Sequence, residues 1–128
     1  MQRIKSGDTV EVVVGRDAAA ARREGRTVRG TVHRVIHGHK IDRTFRKVGR
    51  DHNQDKVVVQ GVNIIIKHQR RTGDVKTQVG RIEREAPIHI SNVMLVCPSC
   101  REATRVGFRK DADNASVRYC KRCDAAID

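Results

Sequence analysis

The sequence contains very few aromatic residues, with no Trp, one Tyr and two Phe among 128 residues. Its core must therefore be built from Val, Ile, Leu and Ala, and we expect it to be small. Modules that read nucleic-acid bases use aromatic side chains as stacking platforms. Phe45 is the only aromatic residue before Cys97. A nucleic-acid surface in this part of the chain would therefore recognise backbone and shape, through Arg side chains and glycine-rich turns.

Long apolar runs are also missing. No stretch approaches the ~18 residues of a membrane span, so we expect no membrane partner. The opening residues 1–8 lack the apolar core of a signal peptide. We therefore expect a cytoplasmic protein whose cysteines are reduced and free to bind metal.

Signatures of catalysis are missing as well. The chain has no Walker loop, no Gly-x-Gly-x-x-Gly and no His-Glu-x-x-His motif. The six histidines are scattered among basic residues and are interpreted as loop residues, not as a second metal site. Glu83 and Glu85 share a strand face with Arg81, which favours a solvated, charge-paired face over acid–base chemistry. We predict that the protein is not an enzyme and has no small-molecule substrate.

Positive charge is what the sequence has in excess. Lys and Arg number 27 against 15 Asp and Glu, a formal net charge of +12. Solubility requires a magnitude of only about 2–8, so this surplus favours a nucleic-acid partner. Most of it lies before Cys97, and residues 16–50 carry 11 basic side chains against three acidic ones. The predicted RNA contacts are Lys5, Arg16, Arg22, Arg23, Arg26, Arg29, Arg34, Lys40, Arg43, Arg46, Lys47, Arg50, Lys67, His68, Arg70 and Arg71.

The four cysteines form two Cys-x2-Cys pairs, Cys97/Cys100 and Cys120/Cys123, separated by 19 residues. This spacing is typical of four thiolates around one tetrahedral Zn²⁺, and the intervening segment is predicted to form a two-stranded hairpin. Four thiolates leave no open coordination position, so the zinc would be structural. Since 32 residues bury too little to fold alone, metal binding would supply the missing free energy. The alternative is unligated, buried or redox-active cysteines.

Short β-branched segments separated by turns dominate the rest of the chain and predict an all-β fold with a small barrel. Ala18–Glu24 is the single helix candidate. Residues 37–55 and 70–77 are interpreted as loops; the first would either order against RNA or remain a solvated loop. The strand candidates are Thr9–Val14, Thr27–Ile36, Lys56–Gln60, Asn63–Ile66, Val79–Glu85 and Asn92–Val96.

Several stretches resemble a known family. Residues 5–10, 15–17 and 30–32 are similar to the KOW motif of SH3-like barrels, and residues 61–69 follow at the expected place. The stretch 85–98 is the most specific, and 104–109 completes the resemblance. Together they resemble the KOW-motif family of bacterial large-subunit ribosomal proteins numbered twenty-four.

The resemblance implies a fold and a function. Residues 1–96 would form an SH3-like (KOW) barrel with basic insertions at 18–29 and 37–55, and residues 97–128 a zinc-ribbon-like hairpin. The function implied is that of a structural protein of the large ribosomal subunit in the cytoplasm. It would bind the 5′ domain of large-subunit ribosomal RNA, contact neighbouring ribosomal proteins and help start subunit assembly. Its final position would be near the polypeptide exit tunnel, with a hairpin near residues 70–80 over the tunnel mouth. The alternative is a KOW-containing transcription or translation factor that binds RNA transiently.

Overall fold

The computed structural model describes residues 2–71, 73 and 80–127. Within them the chain is mostly β-strand, with one α-helix, which confirms the predicted all-β class. Among these residues no helix is long and apolar enough to span a bilayer. In chain order the elements are β1 (Thr9–Val12), α1 (Arg16–Arg23), β2 (Val28–Ile36), β3 (His39–Ile41), β4 (Lys47–Arg50), a 3-10 turn (His52–Gln54), β5 (Lys56–Val59), β6 (Ile64–Gln69), β7 (Gly80–Glu85), β8 (Ile88–His89), a second 3-10 turn (Ile90–Asn92), β9 (Val93–Val96), β10 (Ala103–Thr104), β11 (Val106–Lys110) and β12 (Ser116–Cys120).

A six-stranded antiparallel sheet in the order β10-β9-β1-β2-β5-β8 carries the core. Val10 of β1 lies opposite Gly30 of β2 on one side and Leu95 of β9 on the other. No pairing between β10 and β8 closes the sheet within the described residues. The strands β1, β2, β5 and β9 match β-branched segments predicted from the sequence, because such side chains pack well on a pleated surface. The two-residue strands β8 and β10 were not among the strand candidates.

The core is built mainly of valine, as the shortage of aromatic residues predicts. Val10, Val57 and Val59 are fully inaccessible, and Val32 is nearly so. One apolar cluster joins side chains from β1, β2, β5, β8 and β9. Such short side chains give a small core, so hydrogen bonds and ion pairs between the elements matter more to this fold than they would to one with a larger core.

The helix α1 overlaps the predicted insertion 18–29 and begins at Arg16, two residues before the predicted start of the helix. Its alanines Ala18 and Ala21 are buried against the rest of the chain. The carboxylate of Asp17 accepts a hydrogen bond from the backbone N–H of Asn63 at 2.7 Å. This contact ties the start of α1 to the turn before β6.

The prediction of a loop over residues 37–55 was wrong, because its middle forms a hairpin, β3–β4. We call residues 39–50 the basic arm. Its strands pair from His39 and Arg50 inward, with a bulge after Lys40. The loop prediction failed because the arm has few apolar residues and therefore no alternating pattern from which to recognise strands.

Two further hairpins, β6–β7 and β11–β12, complete the fold. The first matches the two strands predicted on either side of residues 70–77. The hairpin predicted near residues 70–80 over the tunnel mouth falls largely on residues 72 and 74–79, which lie outside the described residues. The second is the hairpin predicted between the cysteine pairs.

Candidate metal centre and nucleic-acid interface

The two cysteine pairs lie on similar backbone turns. The first follows β9, and the N–H of Arg101 donates to the carbonyl of Cys97 at 2.8 Å. The second begins at the last residue of β12, and the N–H of Asp124 donates to the carbonyl of Cys120 at 2.9 Å. In both turns the residue after the second cysteine has a left-handed backbone, with φ of 57° at Arg101 and 60° at Asp124. Each turn folds its two sulfurs toward the other pair.

The four sulfurs converge on one point. The Sγ atoms of Cys97 and Cys123 are 3.6 Å apart, those of Cys100 and Cys120 are 3.9 Å apart, and all four lie within 4.8 Å of one another. Four sulfurs at the usual Zn–S distance of ~2.3 Å form a tetrahedron with edges of about 3.8 Å. The sulfur positions therefore fit a single tetrahedral metal ion, and their softness favours zinc.

The thiols of the second pair differ in how easily they ionise. Burial raises the pKa of Cys120, but the backbone N–H of Cys123 and the hydroxyl of Thr104 outweigh it and lower the pKa to about 6. A backbone hydrogen bond at Ala125 lowers the pKa of Cys123, but burial and the other three thiols raise it to about 11. In the first pair the leading thiol likewise has the lowered pKa and the second the raised one. In each pair, one thiol therefore loses its proton more readily than an ordinary cysteine, which favours the thiolate form that a metal ion requires.

The cysteine-bearing segment is attached to the main sheet by a buried ion pair. Arg118 of β12, with 4% of its side chain exposed, donates to Asp8 at 2.5 and 3.2 Å and to the carbonyl of Arg3 at 3.1 Å. Asp8 also accepts from the backbone N–H of Lys5 at 2.7 Å. Since β10 also extends the sheet beside β9, the cysteine-bearing segment contacts the rest of the fold at more than one place.

The basic residues predicted to contact RNA lie on the surface. All of them are exposed except Lys5, which is half-buried. They are spread over the residues before β1, α1 and the turn after it, β2, the basic arm, β6 and the residues that follow β6. The structure therefore provides a broad basic surface rather than an enclosed pocket.

Some of these predicted contacts already have partners within the protein. Arg22 donates to the carbonyl of Val13 at 2.5 Å. Arg29 donates to Glu11 at 2.9 Å and to the carbonyl of Arg101 at 3.0 Å, which links β2 to the first cysteine turn. These side chains have a structural role whether or not they also touch RNA.

The basic arm differs in this respect. Within the described part of the chain, the side chains of Lys40, Arg43, Arg46 and Lys47 form no ion pair, and all four are exposed. At the base of the arm, Arg50 instead lies 2.8 Å from Nδ1 of His37 and 3.6 Å from the buried carboxylate of Asp55. The arm thus combines a fixed base with unpaired cations toward its tip.

Sequence reasoning missed three residues that position these sites: Asp8, Arg118 and Asp55. Each is a charged residue that is buried or largely buried and partnered. In the sequence they look like the many exposed charged residues around them, because burial of a charge depends on a partner distant in the chain. For Arg118 and Asp8 that partner is 110 positions away.

A comparison with protein families matches residues 62–127 to the family described as the C-terminal domain of large ribosomal subunit protein uL24. Curated relatives match over nearly the full chain. The large ribosomal subunit protein uL24 of Fervidobacterium nodosum is 46% identical over 99% of this chain and 96% of its own length. The uL24 of Halothermothrix orenii is 44% identical over 98% of both chains, and that of Thermosipho melanesiensis is 46% identical over 99% and 97%.

Proposed function

The chain belongs to the uL24 family of large ribosomal subunit proteins, and from this premise we propose that it is a resident ribosomal RNA-binding protein that holds a structural zinc ion. The family is structural, so the function is to bind and shape RNA and not to catalyse a reaction. The partners proposed are large-subunit ribosomal RNA and adjacent ribosomal proteins, in the cytoplasmic ribosome.

The observation that carries RNA binding is the group of exposed cations on the basic arm, which form no ion pair within the described residues of a chain of net charge +12: Lys40, Arg43, Arg46 and Lys47. Each side chain that replaces a condensed counterion on a phosphate releases that ion, which drives association. Arg predominates among the predicted contacts, and its planar fork binds phosphate oxygens with two parallel hydrogen bonds.

This proposal is tested by titrating the zinc-loaded protein onto a transcript of the 5′ domain of large-subunit ribosomal RNA at several salt concentrations. We expect tight binding with a steep linear fall of log affinity against log salt, the slope reporting the number of phosphates neutralised. A flat salt response, or no preference for this transcript over RNA of unrelated sequence and shape, would contradict the proposal.

Zinc is proposed as the only cofactor, held by Cys97, Cys100, Cys120 and Cys123. The support is the tetrahedral spacing of the four sulfurs. A bound ion would cross-link the two cysteine turns and hold the β11–β12 hairpin in place. Elemental analysis of the purified protein should give about one zinc per chain.

The main sheet is proposed to curl into the SH3-like barrel of KOW proteins, with residues 1–96 as the barrel and 97–128 as the zinc hairpin docked on it. In a flat sheet β8 and β9, four strand spacings apart, would be separated by about 19 Å. The chain from His89 to Val93 spans at most ~14 Å, and Ile88 and Leu95 share one core cluster. Both observations support a strongly curved sheet.

Family membership also motivates a place for the protein in the particle. We propose early binding during subunit assembly and a final position near the polypeptide exit tunnel, with the β6–β7 hairpin toward its mouth. Depletion of the protein during reconstitution should stall assembly at an early step. Assembly that proceeds normally until a late step would contradict the early role.

A further inference from the structure

The base of the basic arm is fixed by the buried carboxylate of Asp55, which is 2% exposed. One carboxylate oxygen accepts from the backbone N–H of Gly38 at 2.8 Å, and the other from the side-chain amide of Gln2 at 3.1 Å. The N–H of Asp51 closes the base by donating to the carbonyl of Gly38 at 3.0 Å. These bonds hold both ends of the arm against the folded domain, so its direction is set before any partner binds.

The tip of the arm is a short turn with an unusual residue. The N–H of Phe45 donates to the carbonyl of Asp42 at 2.9 Å, and Phe45 has a φ of 58°. Hairpin turns of this length ordinarily place glycine at the left-handed position, because a side chain is strained there. Here the position holds a phenylalanine that is 91% exposed. Strain combined with an exposed apolar ring points to a function for the ring outside the folded domain.

We propose that the basic arm is a preformed RNA-binding element whose tip stacks Phe45 on an unpaired base, while the cations beside it contact the flanking phosphates. This inference rests on the proposed function and deepens it. Most of the basic surface would contact the sugar-phosphate backbone of the RNA, and this one position would contact a base. An aromatic ring stacks on any base, so the target is a splayed or looped nucleotide and not a defined sequence.

The charge of the arm selects RNA over a protein surface as its partner. Residues 39–50 contain five basic side chains and one acidic one. Arg43, Arg46 and Lys47 lie within two positions of Phe45, and their side chains form no ion pair among the described residues. A protein partner would more often contact the three exposed apolar residues of the arm together, whereas stacking needs the ring alone.

The first test compares two variants of the full-length, zinc-loaded protein on the transcript of the 5′ domain. Phe45→Gly removes the ring and places the preferred residue at the left-handed position, so the turn is retained. We expect it to weaken binding about tenfold. Val48→Ala removes another exposed apolar side chain of the arm, 68% exposed, and should leave the affinity unchanged.

The second test uses the absence of tryptophan from the chain. A Phe45→Trp variant carries a single indole at the tip, and stacking on a base should quench its fluorescence when the transcript is added. A Phe108→Trp variant, with its reporter on β11 of the zinc hairpin, should show little change. Quenching in the Phe45→Trp variant alone, together with the loss of affinity in Phe45→Gly, is the expected result.

Other outcomes would overturn the inference, each in a distinguishable way. If the transcript binds wild-type protein tightly, Phe45→Gly binds equally well and the fluorescence of Phe45→Trp is unaffected, the ring does not stack and the proposed function still stands. If Phe45→Gly binds the transcript normally but is depleted from assembled subunits, the arm contacts a ribosomal protein instead. If wild-type protein does not bind the transcript, the proposed function fails as well.

Discussion

At the scale of single residues, the fold depends on charged side chains that are buried with partners. Taking Arg118 and Asp8 out of water is unfavourable, and their mutual attraction offsets this only while both are present. The pair joins β12 to the residues just before β1, across most of the length of the chain. Arg118 is not among the predicted RNA contacts. We expect it instead to stabilise the fold through this ion pair.

Replacing Arg118 by Met should lower the free energy of unfolding by roughly 3 kcal/mol, since it leaves the carboxylate of Asp8 largely buried and without its cation. Urea denaturation of zinc-loaded protein measures this. Lys110→Met is the matched control, because Lys110 lies on the same hairpin, is exposed, and its side chain forms no ion pair within the described residues. The control should change stability by less than about 0.5 kcal/mol. Equal effects of the two substitutions would show that the buried pair contributes little.

A second prediction concerns two glycines near the basic arm. A Cβ at Gly38 would lie 2.6 Å from the carbonyl oxygen of Asp51 and from Cβ of Gln54, whereas one at Gly49 would meet nothing within 4 Å. Gly38→Ala should therefore disrupt the base of the arm at a cost of about 1–3 kcal/mol, and Gly49→Ala should be nearly neutral. Amide hydrogen exchange across residues 37–55 measures both. Unchanged protection in Gly38→Ala would mean that the base can shift to accept a methyl group.

At the scale of elements, the sequence predicted most strands and missed those without an apolar pattern. β1, β2, β5 and β9 are recognisable because alternating or continuous β-branched residues face a core. The basic arm has no buried face, so no periodicity marked β3 and β4. The spacing of the cysteine pairs predicted that the four sulfurs converge, as they do. The attachment of their segment through Arg118 depends on tertiary contacts that no local pattern encodes.

Because the cysteine-bearing segment contacts the rest of the fold, loss of a bound metal ion should affect more than this segment. Cys120→Ser should abolish zinc binding, measured by elemental analysis, and should loosen residues 97–127, because the hairpin lacks a core of its own. Since β10 pairs with β9 and Arg118 binds Asp8, we expect reduced hydrogen-exchange protection at the N-terminus and β9 also. Protection in β2 and β5 should persist. Ser99→Ala, within the first cysteine turn, is the control and should retain zinc and protection.

If Cys120→Ser loses zinc but its hydrogen exchange is normal throughout the hairpin, the metal does not support the fold. Loss of protection confined to residues 97–127, with the N-terminus unaffected, would show that the hairpin is an independent appendage and that the Arg118–Asp8 pair does not transmit its unfolding.

At the scale of the whole molecule, the proposed RNA binding should follow the distribution of charge. Residues 1–96 hold 20 of the 27 basic side chains, against 10 of the 15 acidic ones. Residues 97–128 hold the other seven basic side chains, against five acidic ones. RNA affinity is therefore expected to depend on the basic arm, α1 and their surroundings more than on the hairpin.

Two sets of four Lys/Arg→Gln substitutions test this distribution at equal loss of charge. The arm set should make the slope of log affinity against log salt shallower by about 3, since each phosphate contact contributes roughly 0.7–0.9. The hairpin set should leave the slope nearly unchanged. The arm set is Lys40, Arg43, Arg46 and Lys47; the hairpin set is Arg105, Arg109, Lys110 and Lys121. Equal reductions of this slope by the two sets would show that the salt dependence follows the total charge and not its position.

The predictions about RNA binding depend on the protein residing in the large ribosomal subunit, held there by ribosomal RNA. Residence is tested by expressing the tagged chain, washing ribosomes in high salt, separating the subunits by sedimentation and measuring how much tagged protein remains with each. We expect about one copy per large subunit, retained through the wash, and none on the small subunit. Protein that leaves the particle in the wash and sediments free, or travels with RNA polymerase, would contradict residence and identify a transient factor instead.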